Sequence, residues 1–252
     1  MKRSLWLSSV SDLSCPPWPC PTCKTGTLRL RPKSLSHTET VESLRWHHQN
    51  GWAPENIEFV FSAWADCSNE RCKEQFSLVG NGGIEPEYTG DDEGSTEWVN
   101  NYYPRWIQPT PPMIELPTTC PGVVSDPLRE AFSLYWSQPD ACASRIRVAL
   151  ESLLTHLGIP REEVSGLGKT SVLSLHKRIE LFTKQNETVG RQLMALKWLG
   201  NTGSHGNGLN KTDILDGLEL LEHSLAEVLE KRAEKMAALA KKLLERHGPS
   251  VP

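Results

Sequence analysis

Cys20-Pro21-Thr22-Cys23 and Cys67-x4-Cys72 are the residues whose type and spacing point most directly to chemistry. A short turn between two cysteines lets both sulfurs reach one ion. Four thiolates make a closed tetrahedral site for a d10 cation such as Zn2+. With all four positions filled by protein, that ion has no open position and is structural rather than catalytic. Cys15 leaves one alternative, because Cys15-x4-Cys20 repeats the spacing of the second pair. His47 or His48 could also supply a ligand, though adjacent residues point different ways. Five of the seven cysteines fall within residues 15–72; Cys120 and Cys142 stand apart with no short-range partner.

The second set of candidates lies in the stretch Leu196-Lys197-Trp198-Leu199-Gly200-Asn201-Thr202-Gly203-Ser204-His205. If a helix persists through it, Lys197, Asn201 and His205 repeat every four residues and share a face. His is the side chain that titrates near neutrality, so His205 is the candidate general acid or base. Two glycine motifs fail as phosphate loops. Gly168-Lys169-Thr170 lacks the glycine required five residues earlier, where Glu163 stands. Gly200, Gly203, Gly206 and Gly208 follow a helix, not a strand, and read as a helix end and loop.

These residues need elements to hold them. At 252 residues the chain predicts one large or two modest domains. After the first knuckle, Gly26 lets the chain turn back and Leu28 and Leu30 begin a strand. Residues 57–61 read as a buried or edge strand. Two knuckles around a β-rich insert have the form of a zinc ribbon over residues 12–82, a module small enough to need Zn2+ to fold. Residues 85–97 are acidic and prolines follow, so 83–121 read as an acidic then proline-rich linker. Trp98, Tyr102, Tyr103 and Trp106 would pin it to a surface.

Helical periodicity begins after residue 122. Ser125-Asp126-Pro127 reads as a helix start. Further helices are predicted near Pro139, from about Ser171, from Glu187, and from Thr212 past Leu243. The fold class is α+β, with a β-rich N-terminal module and a helical bundle over 122–247. Residues 231–247 carry six basic side chains against two acidic ones. That tail reads as a solvated helix end or a polyphosphate contact.

Arg147-Val148-Ala149-Leu150-Glu151, Leu175-His176-Lys177-Arg178-Ile179, and Leu199-Gly200-Asn201 with His205 resemble domain-of-unknown-function family 4145, of the HEPN superfamily. The resemblance covers about residues 110–230, including Leu116-Pro117. It implies a helical bundle that commonly dimerises, with an N-terminal zinc ribbon as a familiar companion. Similar proteins are bacterial and are often fused to or encoded beside restriction and phage-defence factors. Many HEPN domains are metal-independent ribonucleases with an Arg, four residues, then His. Here Gly200 stands where that Arg would be.

The net charge of −4 excludes a uniformly basic nucleic-acid binder and favours protein partners. Apolar runs fall short of a membrane span, so no membrane partner is expected. Serines and Asp12 interrupt the first residues, so no secretory signal is read and a cytoplasmic protein is expected. Three functions compete. The first is a homodimeric binding or adaptor component of a nucleic-acid-directed defence system, touching RNA, DNA or a protein partner. The second is a metal-independent endoribonuclease using His205 and Asn201, with Lys197 nearby, across a homodimer. The third is a purely structural oligomerisation module.

Overall fold

The computed structural model describes residues 1–88, 96–166, 168–204 and 208–247. The chain divides into two compact units, Lys2–Met113 and from Ile114 on.

The first unit is built on an antiparallel sheet. Its long strands are β3 (Glu58–Cys67), β4 (Gln75–Tyr88) and β5 (Thr96–Gln108), paired in that order. Two short strands, β1 (Leu28–Leu30) and β2 (Ser36–Glu39), share the other edge of β3. β3 alternates without interruption. Phe59, Phe61, Ala63, Ala65 and Cys67 are buried, while Val60, Ser62 and Trp64 face outward. That period of two gives a sheet with one core face. Leu28, Phe76, Leu78, Tyr102 and Ile107 complete the core with Trp6, Val10 and Trp18. The Tyr102 hydroxyl is bonded to Asp12 Oδ1 and to His37 Nδ1, each at 2.8 Å.

The expected linker over 83–121 is corrected here. β4 runs to Tyr88, and residues 96–108 form the strand that pairs with it. The acidic and proline content hid a run of β-forming aromatics. Trp98, Val99, Tyr102, Tyr103, Trp106 and Ile107 favour a pleated surface. Pro104 is tolerated because it sits beside a register shift at Val79/Gly80, on a strand at the sheet edge. Tyr102 is a core residue rather than a pin on a surface.

The second unit contains α3 (Gly122–Tyr135), α4 (Pro139–His156), a hairpin of β6 (Glu162–Val164) and β7 (Thr170–Val172), α5 (Leu175–Thr183), α6 (Glu187–Ser204), α7 (Lys211–Glu230) and α8 (Arg232–His247). The shorter α1 (Ser4–Leu7) and α2 (Val41–Trp46) belong to the first unit. Apolar stripes on α3, α4, α6 and α7 interlock through Phe132, Ile146, Leu150, Leu153, Leu193, Leu196, Leu218 and Leu221, all buried. α3 packs on α4, α4 on α6, and α6 on both α5 and α7.

Four boundaries differ from those read in the sequence. α3 begins at Gly122, so Pro127 lies inside it. Thr170 and Ser171 are strand, and α5 starts after the Ser174 side chain caps Lys177 N–H. Gly168-Lys169-Thr170 therefore belongs to a hairpin. α6 continues through Gly200 and Gly203 rather than ending there. The last helix is two helices, because Lys231 adopts a left-handed conformation, φ +52°, that closes α7.

Arg178 ties α5 to the end of α4. Its buried guanidinium donates to Glu151 O, Thr155 Oγ1, Ile159 O and Pro160 O at 2.9–3.1 Å. Burial pulls its pKa down, but the carbonyls at the negative end of α4 hold the charge. Arg178→Met removes the guanidinium that Ile159 O and Pro160 O accept from, while Glu151 O keeps the Thr155 hydroxyl. It should lower the stability of the helical unit by about 2–4 kcal/mol, read by denaturant titration of helicity. A loss below about 1 kcal/mol would show that water replaces the guanidinium at no cost.

Candidate metal centre and the seam between α4 and α6

The first knuckle forms a loop closed by Cys20 N–H donating to Gly26 O at 2.9 Å, with Lys24 N–H donating to Cys20 O at 3.0 Å. The second opens at the end of β3, where Cys67 N–H donates to Glu74 O at 2.8 Å and Cys72 N–H to Asn69 O at 2.9 Å. In both loops a lysine follows the second cysteine in the left-handed region, Lys24 at φ 58° and Lys73 at φ 55°. The two loops mirror one another although their cysteine spacings differ. Asn69 Nδ2 donates to Thr25 Oγ1 at 3.1 Å, and the Thr22 hydroxyl donates to Glu74 Oε2 at 2.6 Å, so side chains also join them.

The four sulfurs lie within 4.8 Å of one another. Cys20 and Cys72 are 3.9 Å apart, Cys23 and Cys67 3.6 Å. A disulfide needs about 2.0 Å. A tetrahedron with metal–sulfur bonds of about 2.3 Å has edges of about 3.8 Å. The spacing fits four ligands around one ion and no disulfide. Gly26 N–H donates to Cys23 Sγ at 3.2 Å and Asn69 N–H to Cys67 Sγ at 3.4 Å. Such bonds orient sulfur ligands and spread their charge. The Thr25 hydroxyl, then Gly26 N–H, pull the Cys23 thiol down to about 5, while burial pushes Cys67 up to about 12. A divalent cation lets all four be thiolate together.

The alternatives fall away. Cys15 donates to Leu28 O at 3.7 Å and is outside the cluster. His47 is bonded to Glu39 Oε1 at 2.7 Å, and neither His47 nor His48 joins the sulfurs. Cys142 is buried, its thiol pushed up to about 12 by burial, as an inert core residue. Gly26 has a different purpose from the turn expected of it. A Cβ there would run into Cys67 Sγ and stand 3.0 Å from Asn69. The knuckles approach too closely for any side chain.

The Asn–His stretch is only partly described. Asn201 lies on α6; His205 lies outside the described residues. Lys197 is largely buried, and its ammonium sits 3.4 Å from the centroid of the Trp198 ring. The partner of Asn201 is Arg147 of α4, whose Nη1 donates to Asn201 Oδ1 at 2.7 Å while its Nε lies 3.5 Å from Glu151. Gly200 makes this meeting feasible. A Cβ at 200 would stand 2.8 Å from Arg147 Cβ and 3.2 Å from Ala143 O, and one at Gly203 would stand 2.5 Å from Asp140 O. The two glycines are where α4 crosses α6 closely.

A third feature went unread in the sequence. The outward face of the sheet carries Val60, Trp64, Val79, Tyr103 and Trp106, all at least 36% exposed. The strand register sets them side by side: Val60–Asn81–Tyr103, Ser62–Val79–Trp106 and Trp64–Ser77–Gln108. Arg31 lies over the Trp64 ring at 5.9 Å, held by Asp66. Hydropathy alternation in residues 58–66 was the available signal, because Val60 and Trp64 occupy its supposed polar phase.

Residues 8–109 match the family model of a domain of unknown function (DUF8608), and residues 129–246 that of a second domain of unknown function (DUF4145). No curated protein and no solved structure matches the chain.

Cys67→Ser removes a ligand, and Gly26→Val forces the knuckles apart while keeping all four. Both variants should lose bound metal and weaken the first unit, leaving the helicity of the second in place. Metal analysis of the purified variants checks this; Gly26→Val retaining its metal would refute the close approach described.

Proposed function

We propose that the chain is a binding or adaptor component of a bacterial nucleic-acid-directed system, phage-defence or restriction-associated. Its first unit is a zinc-ribbon-like module in which Zn2+ on Cys20, Cys23, Cys67 and Cys72 is structural. Its second is a HEPN-like helical bundle that forms a homodimer, in the cytoplasm. The observation that carries this reading is the outward sheet face of Trp64, Trp106, Tyr103, Val60 and Val79. Contiguous exposed apolar side chains on a domain already complete inside mark an interaction surface. The closed cluster supports a scaffold role, since four thiolates leave no position for a substrate. The net charge of −4 on the chain supports a protein as the partner that links it to nucleic acid.

Phage plating tests it. Cells carrying the gene with its neighbours should resist phage, and Trp64→Ser with Trp106→Ser should remove the protection without changing metal content. Undiminished protection in that double variant would sink the adaptor reading.

The hydrogen bond between Arg147 and Asn201 favours a second reading, a metal-independent endoribonuclease. Here the cation absent at Gly200 comes from α4. Arg147 would stabilise phosphate charge, Asn201 would position it, and His205 would move the proton of a ribose 2′-hydroxyl. Arg147→Ala should then reduce RNA cleavage by about 10²-fold, and His205→Ala should abolish it. Products would end in a cyclic phosphate, and chelators would not inhibit. Cleavage unaffected by either substitution excludes this reading. Arginine placed at 200 would crowd α4 and is not expected to create activity. A monomeric mass by light scattering would remove the dimer from both readings.

A further inference from the structure

α8 has no buried residue, although it is 16 residues long and follows α7 after a single left-handed residue. A helix of that length is marginal in water without a tertiary contact. Projected at 3.6 residues per turn, Met236, Leu239, Ala240, Leu243 and Leu244 gather into one broad apolar arc. Met236, Leu239, Leu243 and Leu244 are each about half exposed or more. Arg232, Lys235, Lys242 and Arg246 form a ridge along one border of that arc, spanning about 21 Å.

The charges are sorted by direction. Glu234 lies 3.4 Å from Lys231 and Glu245 3.9 Å from Lys241, on the side away from the arc. Among the described residues no ion pair holds the four cations of the ridge. A basic helix thus ends a described chain that is otherwise acidic.

Two α8 helices paired antiparallel through the arc would bring ridge against ridge, four cations facing four. The surface that suits an apolar arc bordered by unpaired cations is itself apolar and anionic. We propose that α8 lies flat on an anionic lipid surface, with Met236, Leu239 and Leu243 among the acyl chains and the ridge at the phosphate level. Such helices combine a strong apolar–polar division with low overall hydrophobicity and lie in the interface without spanning it. The long stems of Lys235 and Lys242 let their charges reach the headgroups from the border of the arc. This inference stands apart from the partner taken by the outward sheet face.

Flotation of the full chain with vesicles tests it. Binding to phosphatidylglycerol–phosphatidylcholine vesicles should exceed binding to phosphatidylcholine alone by about tenfold or more at low salt, and fall at high salt. Leu239→Asp with Leu243→Asp should abolish it. Lys235→Glu with Lys242→Glu should remove the preference for anionic lipid. Both variants should keep wild-type metal content, because α8 is remote from the knuckles in sequence and contributes nothing to a core. Equal binding to both vesicles, no binding, or undiminished binding by the leucine variant overturns the proposal. So does a dimer of the full chain that the leucine variant converts to monomer without any vesicle binding, which would assign the arc to a second copy.

Discussion

Four thiolates within 4.8 Å of one another cannot share that space as bare anions. A cation among them would turn that repulsion into four bonds, and the strands of the first unit converge on the cluster. Cys67 ends β3 and Cys72 precedes β4, so the second knuckle is the turn between these two paired strands. Cys20 and Cys23 lie just before β1, which pairs with the last residues of β3. An ion held by these four sulfurs would fix where three strands meet. The sheet presents one face to the core and leaves the other, with Trp64 and Trp106, exposed.

The helical unit is organised by close approach instead of by a metal. Gly200 and Gly203 let the backbone of α4 come near α6, and the same approach delivers Arg147 to Asn201. Arg178 ties down the other end of α4 by donating to Glu151 O in its last turns and to Ile159 O just beyond it. One arginine is fully used by the fold. The other keeps a partly exposed guanidinium, with Glu151 at 3.5 Å as its counter-ion.

The four-cysteine cluster was legible because its members leave a mark in spacing: short cysteine pairs with a strand-forming insert. The alternatives involving Cys15 and His47 were not separable by spacing, since only the fold shows Cys15 turned to Leu28 O and His47 to Glu39. Helices α4 and α6 were legible from apolar periodicity and from Pro139 and Glu187 at their starts. β5 was not, because its acidic approach and Pro104 carry the composition of a linker while the pairing that makes it a strand is with residues about 20 positions away. Gly200 was misread for a similar reason. A glycine within a helix marks either an end or a crossing, and the crossing partner, Arg147, is 53 positions distant from Gly200. The break at Lys231 has no glycine to announce it.

The central claim is that Cys20, Cys23, Cys67 and Cys72 together hold one zinc ion. Zinc K-edge X-ray absorption on the purified chain reads the ion and its neighbours at once. The account predicts about one zinc per chain, surrounded by four sulfurs at about 2.3 Å with no nitrogen or oxygen in the first shell. A shell of mixed sulfur and nitrogen, or a protein without zinc, would contradict it.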